Sequence, residues 1–136
     1  MANETFVTIA SVSDIITARE HGRNIGKALG FSSTDLTIIA TIISEVARNI
    51  LLYAKTGEMI LGPTKNGTRE GIIIIAKDKG PGIPDITLAM HDGYSTGKGL
   101  GLGLPGVRRL TDEFEIISEV GKGTTVTVRK WVMQNE

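Results

Sequence analysis

With 136 residues, the chain fits one compact domain with a single core and leaves little room for a second. Fifteen basic residues balance fifteen acidic ones, and aromatics are only 4%, so neither a net field nor a stacking platform recruits nucleic acid or an anionic membrane. Cysteine is absent, which excludes disulfides and thiolate metal sites and suits a reducing cytoplasm. Met1-Ala2-Asn3-Glu4 carries neither a basic nor an apolar leader pattern, so no signal peptide is expected. The apolar runs, such as residues 71–76, are strand-sized and too short to span a bilayer. One cytoplasmic domain over residues 1–136 is the expectation.

Alternation of Phe6, Thr8 and Ala10 against Thr5, Val7 and Ile9 predicts a first strand over residues 5–10. Ser11 or Ser13 can cap a helix that Gly30 ends, with Ile15, Ile16, Ala18, Ile25 and Leu29 on its apolar side. A second helix spans residues 33–54, opened by Ser32 with Asp35 three positions on, a variant of the capping box. Leu36, Ala40, Ile43, Ala47, Ile50 and Ala54 form its core stripe. Glu45 and Asn49 fall on the opposite half of the wheel, about 40° apart at ~100° per residue. Ile38 and Ile42 flank them, and Thr37, Thr41, Ser44 and Arg48 make the polar remainder.

Residues 58–63 predict a strand, Asn66-Gly67 a hairpin turn, and the isoleucine run over 71–77 a central strand covered on both faces. A short helix over 85–91 precedes a flexible glycine-rich loop over 94–102. Pro105 suits the first turn of a helix ending near Asp112. A closing hairpin pairs 114–119 with 124–132 around Gly121-Lys122-Gly123. This order predicts an α+β sandwich, a mostly antiparallel sheet covered on one face by helices.

Three segments carry chemistry. Glu45 and Asn49 share one strip of a helix. An amide oxygen suits Mg²⁺, which takes few protein donors beside phosphates. A carboxylate one turn earlier can orient an attacking hydroxyl or accept its proton. Alone, the pair would be ordinary surface residues. Asp78 ends the isoleucine strand, with Gly80 and Gly82 close behind, and can accept the amino proton of adenine; alone, the segment would be a tight turn. Gly97, Gly99, Gly101 and Gly103 expose backbone N–H groups before a helix whose dipole favours anions, and Lys98 adds a positive charge.

Two rival motifs fail on context. Residues 93–98 approach a Walker loop, but the spacing is one residue short and Gly99 stands where Ser or Thr would hold Mg²⁺. Gly101, Gly103 and Gly106 match a dinucleotide fingerprint that follows no strand. His21 and His91 lack metal-spaced partners, and Trp131 suits packing better than recognition.

In this chain order, the three segments resemble the asparagine box and two glycine boxes of the GHKL (Bergerat-fold) ATPases and kinases. Size then favours the small serine kinases that control bacterial sigma factors. Ile43-Ser44-Glu45, Ala47-Arg48-Asn49-Ile50, Gly80-Pro81-Gly82-Ile83-Pro84 and Leu104-Pro105-Gly106-Val107 resemble the stressosome switch-kinase branch, beside the anti-sigma factor kinases. The resemblance implies ATP and Mg²⁺ as cofactors, Glu45 as catalytic residue and Asn49 as metal ligand. It implies nucleotide contacts at Asp78, Gly80, Gly82, Ile83, Lys98, Gly99, Gly101, Gly103 and Leu104. It further implies phosphorylation of STAS-domain proteins and, after release, activation of a PP2C-type phosphatase. The alternative is a nucleotide-gated binding module with minor phosphotransfer.

Overall fold

The computed structural model describes residues 3–83 and 103–133. The expected helix over 85–91 and the loop over 94–102, with Lys98, Gly99 and Gly101, lie outside the described residues. In chain order the elements are β1 (Thr5–Ile9), α1 (Val12–Leu29), α2 (Ser33–Tyr53), β2 (Gly57–Asn66), β3 (Arg69–Asp78), α3 (Gly103–Leu110), β4 (Glu113–Glu119) and β5 (Gly123–Trp131).

The strands form one sheet in the order β1-β2-β3-β5-β4, antiparallel at every pairing. Val7, Ile9, Met59, Leu61, Ile72, Ile74, Ala76, Val126 and Val128 are buried, and by strand alternation they share the face beneath the helices. The α+β sandwich expected from the element order is therefore the fold observed. The β2–β3 hairpin is longer than its apolar stretch, pairing out to Asn66 and Arg69. Its tight turn, with Gly67 at φ +64°, holds the polar ends together, and Lys65 pairs with Glu70 at 3.6 Å. The isoleucine run is buried on one face only. Ile73 and Ile75 point to the other face and are half-buried, with Ile75 sheltered between its register partners Ile60 and Thr127.

Helix α1 opens on Asp14, whose Oδ2 accepts the N–H groups of Ala10 (2.8 Å) and Ser11 (3.0 Å). The bond from Ala10 is the main cause holding the Asp14 carboxyl below its ordinary range. This cap therefore contributes above the ordinary carboxylate range and fades as pH falls through the lowered value. The helix ends at Gly30, left-handed at φ +94°. Its buried strip is Ile15, Ala18, Gly22 and Gly26, whereas Ile16 is exposed and Ile25 and Leu29 are only partly buried. A Cβ on Gly22 would overlap Ile43, and one on Gly26 would stand 2.6 Å from Leu36. Helix α1 thus lies close on α2 through absent side chains, which a hydropathy pattern does not register.

Helix α2 begins at Ser32, whose Oγ accepts the Asp35 N–H at 3.2 Å. The Asp35 carboxylate turns to Lys130 of β5 instead (3.9 Å). Of the expected stripe, Ala40 and Ala54 are half-buried, while Ile42 to Ala47 is buried on every side, with α1, α3 and β3 against the helix. By length and composition α2 could cross a membrane, contrary to the sequence expectation, but half of its apolar window is buried inside the fold as a core helix. Helix α3 stops at Leu110, two residues before Asp112. There the Asp112 N–H donates to the Arg129 carbonyl (3.0 Å) and its carboxylate accepts the Trp131 N–H (2.7 Å), drawing the chain into the sheet. Trp131 packs against Gly71 with the Arg69 guanidinium 4.5 Å above its ring.

Candidate functional site

Asp78 ends β3, half-buried, with its carboxylate oriented by backbone. Its Oδ1 accepts the Gly80 N–H (2.9 Å) and the N–H of Thr124, its register partner on β5 (3.3 Å). With Oδ1 so engaged, Oδ2 keeps the acceptor capacity of the carboxylate for a further donor. The strand opposite is seated by Gly123, at φ +115°, where a Cβ would overlap the Asp78 carbonyl. We expect Gly123→Ala to lose roughly 1–3 kcal/mol in urea denaturation, the usual cost of a strained backbone residue, and to weaken nucleotide binding with it. Unchanged affinity in the folded variant would detach the Gly123 seat from the site.

The glycines after Asp78 serve the protein's own packing. A Cβ on Gly80 would stand 2.7 Å from the Cβ of Ala54, and one on Gly82, at φ +80°, would overlap the Glu119 carbonyl. The loop is thus pressed between the end of α2 and the β4–β5 hairpin. Ile83 donates its N–H to Ser118 Oγ at 2.7 Å, and Ser118 meets Thr124 Oγ1 at 2.8 Å. This chain of bonds links Ile83 to the backbone that holds Asp78. Ser118 and Thr124 escaped sequence reasoning, since a hydroxyl in a closing hairpin carries no motif.

Glu45 and Asn49 lie on α2 as expected, but their surroundings differ. Glu45 is 3% exposed, and its Oε2 is shielded with no hydrogen-bond partner among the described residues. Asn49 is half-buried. Ser44, grouped with the polar remainder of the wheel, is buried instead; its Oγ donates to the Ala40 carbonyl (2.8 Å) and accepts from Arg19 of α1 (3.4 Å). The cross-helix arginine satisfies a hydroxyl that the wheel left in solvent.

Gly57 ties this helix to Asp78: a Cβ there would stand 2.7 Å from Ile50 Cγ2 and 3.2 Å from Asp78 Cβ. Asn49 is the neighbour of Ile50, and Glu45 lies five residues back, about 7.5 Å along the axis at the α-helical rise. Asn49 and Glu45, one turn apart, share a strip of α2 beside the residue, Ile50, that approaches Gly57 and Asp78. Gly103 opens α3 at φ +55°, and Leu104 is buried behind it, with α3 against α2. Among the described residues, no three His, Cys, Asp or Glu side chains converge to hold a metal.

The profile of the histidine kinase-, DNA gyrase B-, and HSP90-like ATPases matches residues 34–134. The chain belongs to this family. Within it, the chain is 48% identical over 132 residues to the serine/threonine-protein kinase RsbT of Bacillus subtilis (strain 168), covering 97% of this chain and 99% of that protein. It is 30% identical over 110 residues to the anti-sigma F factor of Geobacillus stearothermophilus, covering 73% and 71% respectively. The mycobacterial sensor histidine kinase MprB superposes with a TM-score of 0.56 over 94% of this chain and 97% of that one at 14% identity, a likeness of fold. The GHKL resemblance carried by the three segments is thus established for family and fold, and membership implies use of a nucleotide.

Proposed function

We propose that this protein is a cytoplasmic ATP-dependent serine/threonine protein kinase of bacterial stress signalling. It phosphorylates STAS-domain proteins of a stressosome-like complex and, once released, binds and activates a PP2C-type phosphatase. The kinase activity itself is supported by the likeness to RsbT over nearly the whole of both chains. The partners are inferred from the same resemblance and from the Leu104-Pro105-Gly106-Val107 context of its branch.

Glu45 carries the kinase reading against a pure nucleotide switch. A nucleotide sensor needs Asp78 and Asn49, but has no use for a carboxylate with a shielded, unpartnered oxygen one turn from Asn49. In this reading Asp78 accepts the adenine amino proton. Glu45 takes the proton of the acceptor hydroxyl as its oxygen bonds to the γ-phosphorus and the bridge to ADP breaks. The Asn49 amide suits Mg²⁺, with the other ligands drawn from phosphates and water, and the ion would offset charge on those phosphates.

We expect Asn49→Ala to leave adenine contacts intact while abolishing the Mg²⁺-dependent gain in triphosphate affinity, measured by calorimetry with and without the ion. A variant whose ATP affinity still responds normally to Mg²⁺ would move the metal to another residue. The alternative, a nucleotide-gated binding module, has its support in the likeness to anti-sigma F factors. Incubation with labelled ATP and a co-encoded STAS protein separates the two: phosphoserine or phosphothreonine is expected, and complex formation without phosphate would favour the module.

A further inference from the structure

Arg48 has no part in the scheme above, yet its Nε is shielded from solvent without a hydrogen-bond partner among the described residues. It is the one basic residue of α2, three positions after Glu45, the only acidic residue there besides Asp35. Two unpartnered buried atoms of opposite character, Glu45 Oε2 and Arg48 Nε, therefore lie within one turn. Side chains three apart on a helix are neighbours, with Cβ atoms about 5–6 Å apart. A guanidinium keeps its charge and offers a planar fork that matches a carboxylate, and buried polar atoms are seldom left unmade. The other cations on the elements packed against α2 are differently placed. Arg19 is engaged with Ser44, and Arg108 and Arg109 are exposed on the last turn of α3.

We infer that Arg48 is a positioning residue for Glu45. With nucleotide and acceptor bound, its Nε–H donates to Glu45 Oε2. That bond holds the carboxylate in one orientation and leaves Oε1 toward the acceptor hydroxyl. A fixed cation at this point also keeps Glu45 from being driven away by the negative charge of the triphosphate. This rests on the reading of Glu45 as the group that receives the hydroxyl proton.

The test uses the full-length protein with Mg²⁺-ATP and a STAS acceptor, comparing wild type, Arg48→Ala, Arg48→Lys, Glu45→Ala and the Glu45/Arg48 double alanine variant. For Arg48→Ala, kcat should fall roughly 10- to 100-fold, the usual effect of a misplaced catalytic group, with KM for ATP within about twofold of wild type. Arg48→Lys should recover part of the rate, and added methylguanidine should speed Arg48→Ala but not the wild type. The decisive comparison is the double variant, which should be no slower than Glu45→Ala alone, because a residue acting through Glu45 has nothing left to position. Multiplicative losses would overturn the inference, as would a higher KM for ATP at unchanged kcat, which would make Arg48 a nucleotide ligand. A wild-type rate in Glu45→Ala would instead remove the base reading itself. If Arg48→Ala fails to fold, the rate of Arg48→Lys with and without Glu45 decides by the same comparison.

Discussion

Glu45→Ala should lower phosphotransfer by ~10²–10⁴-fold, the usual worth of a general base, while ATP and acceptor binding stay near wild type. The side chain is 3% exposed with one oxygen unpartnered, so the folded protein carries an uncompensated buried polar atom. Removing the carboxylate relieves the desolvation cost of Oε2, which nothing among the described residues offsets, and the alanine variant should melt no lower than the wild type. This combination separates two roles. A structural Glu45 would lose stability and binding together, whereas a catalytic one loses rate alone. The measurement is single-turnover transfer from labelled ATP to a STAS protein, beside calorimetry and thermal melting. Wild-type-like transfer by the variant would end the base role.

Asp78→Asn should weaken ATP binding by roughly ten- to hundredfold, since a hydrogen bond to a charged acceptor is typically worth about 1.5–3 kcal/mol. The geometry makes the substitution specific. The asparagine carbonyl can take over the bonds from Gly80 and Thr124 now made to Oδ1, so the loop and the β3–β5 ladder should survive. The amide then places its NH₂ where Oδ2 stood, a donor facing the adenine amino donor. Urea midpoints should therefore match those of the wild type while calorimetric affinity falls. Unchanged affinity would sink the assignment of Asp78 to adenine.

Local chemistry made several features of this protein legible in one dimension. The caps at Ser32 and Gly30, the Asn66-Gly67 turn and the alternation along β1 each depend on residues within a few positions of one another, and sequence records such neighbours directly. The order of the three box segments could be matched to one family because each segment is short and local, and the family profile over residues 34–134 agrees with that match. Other features belong to the tertiary structure alone. Burial of Glu45 and Ser44 depends on α1, α3 and β3 closing around α2, and a helical wheel contains none of those elements. Gly22 and Gly26 form a helix contact because Ile43 and Leu36 arrive there, and a missing side chain adds nothing to a hydropathy pattern. The orientation of Asp78 depends on Thr124, 46 residues away, and the anchoring of Ile83 on Ser118, 35 residues away. The periodicity of a segment reports which side of it is apolar. Only folding decides which distant backbone donor, hydroxyl or guanidinium meets a given side chain, because those partners come together through the strand order β1-β2-β3-β5-β4 and not through proximity in the chain.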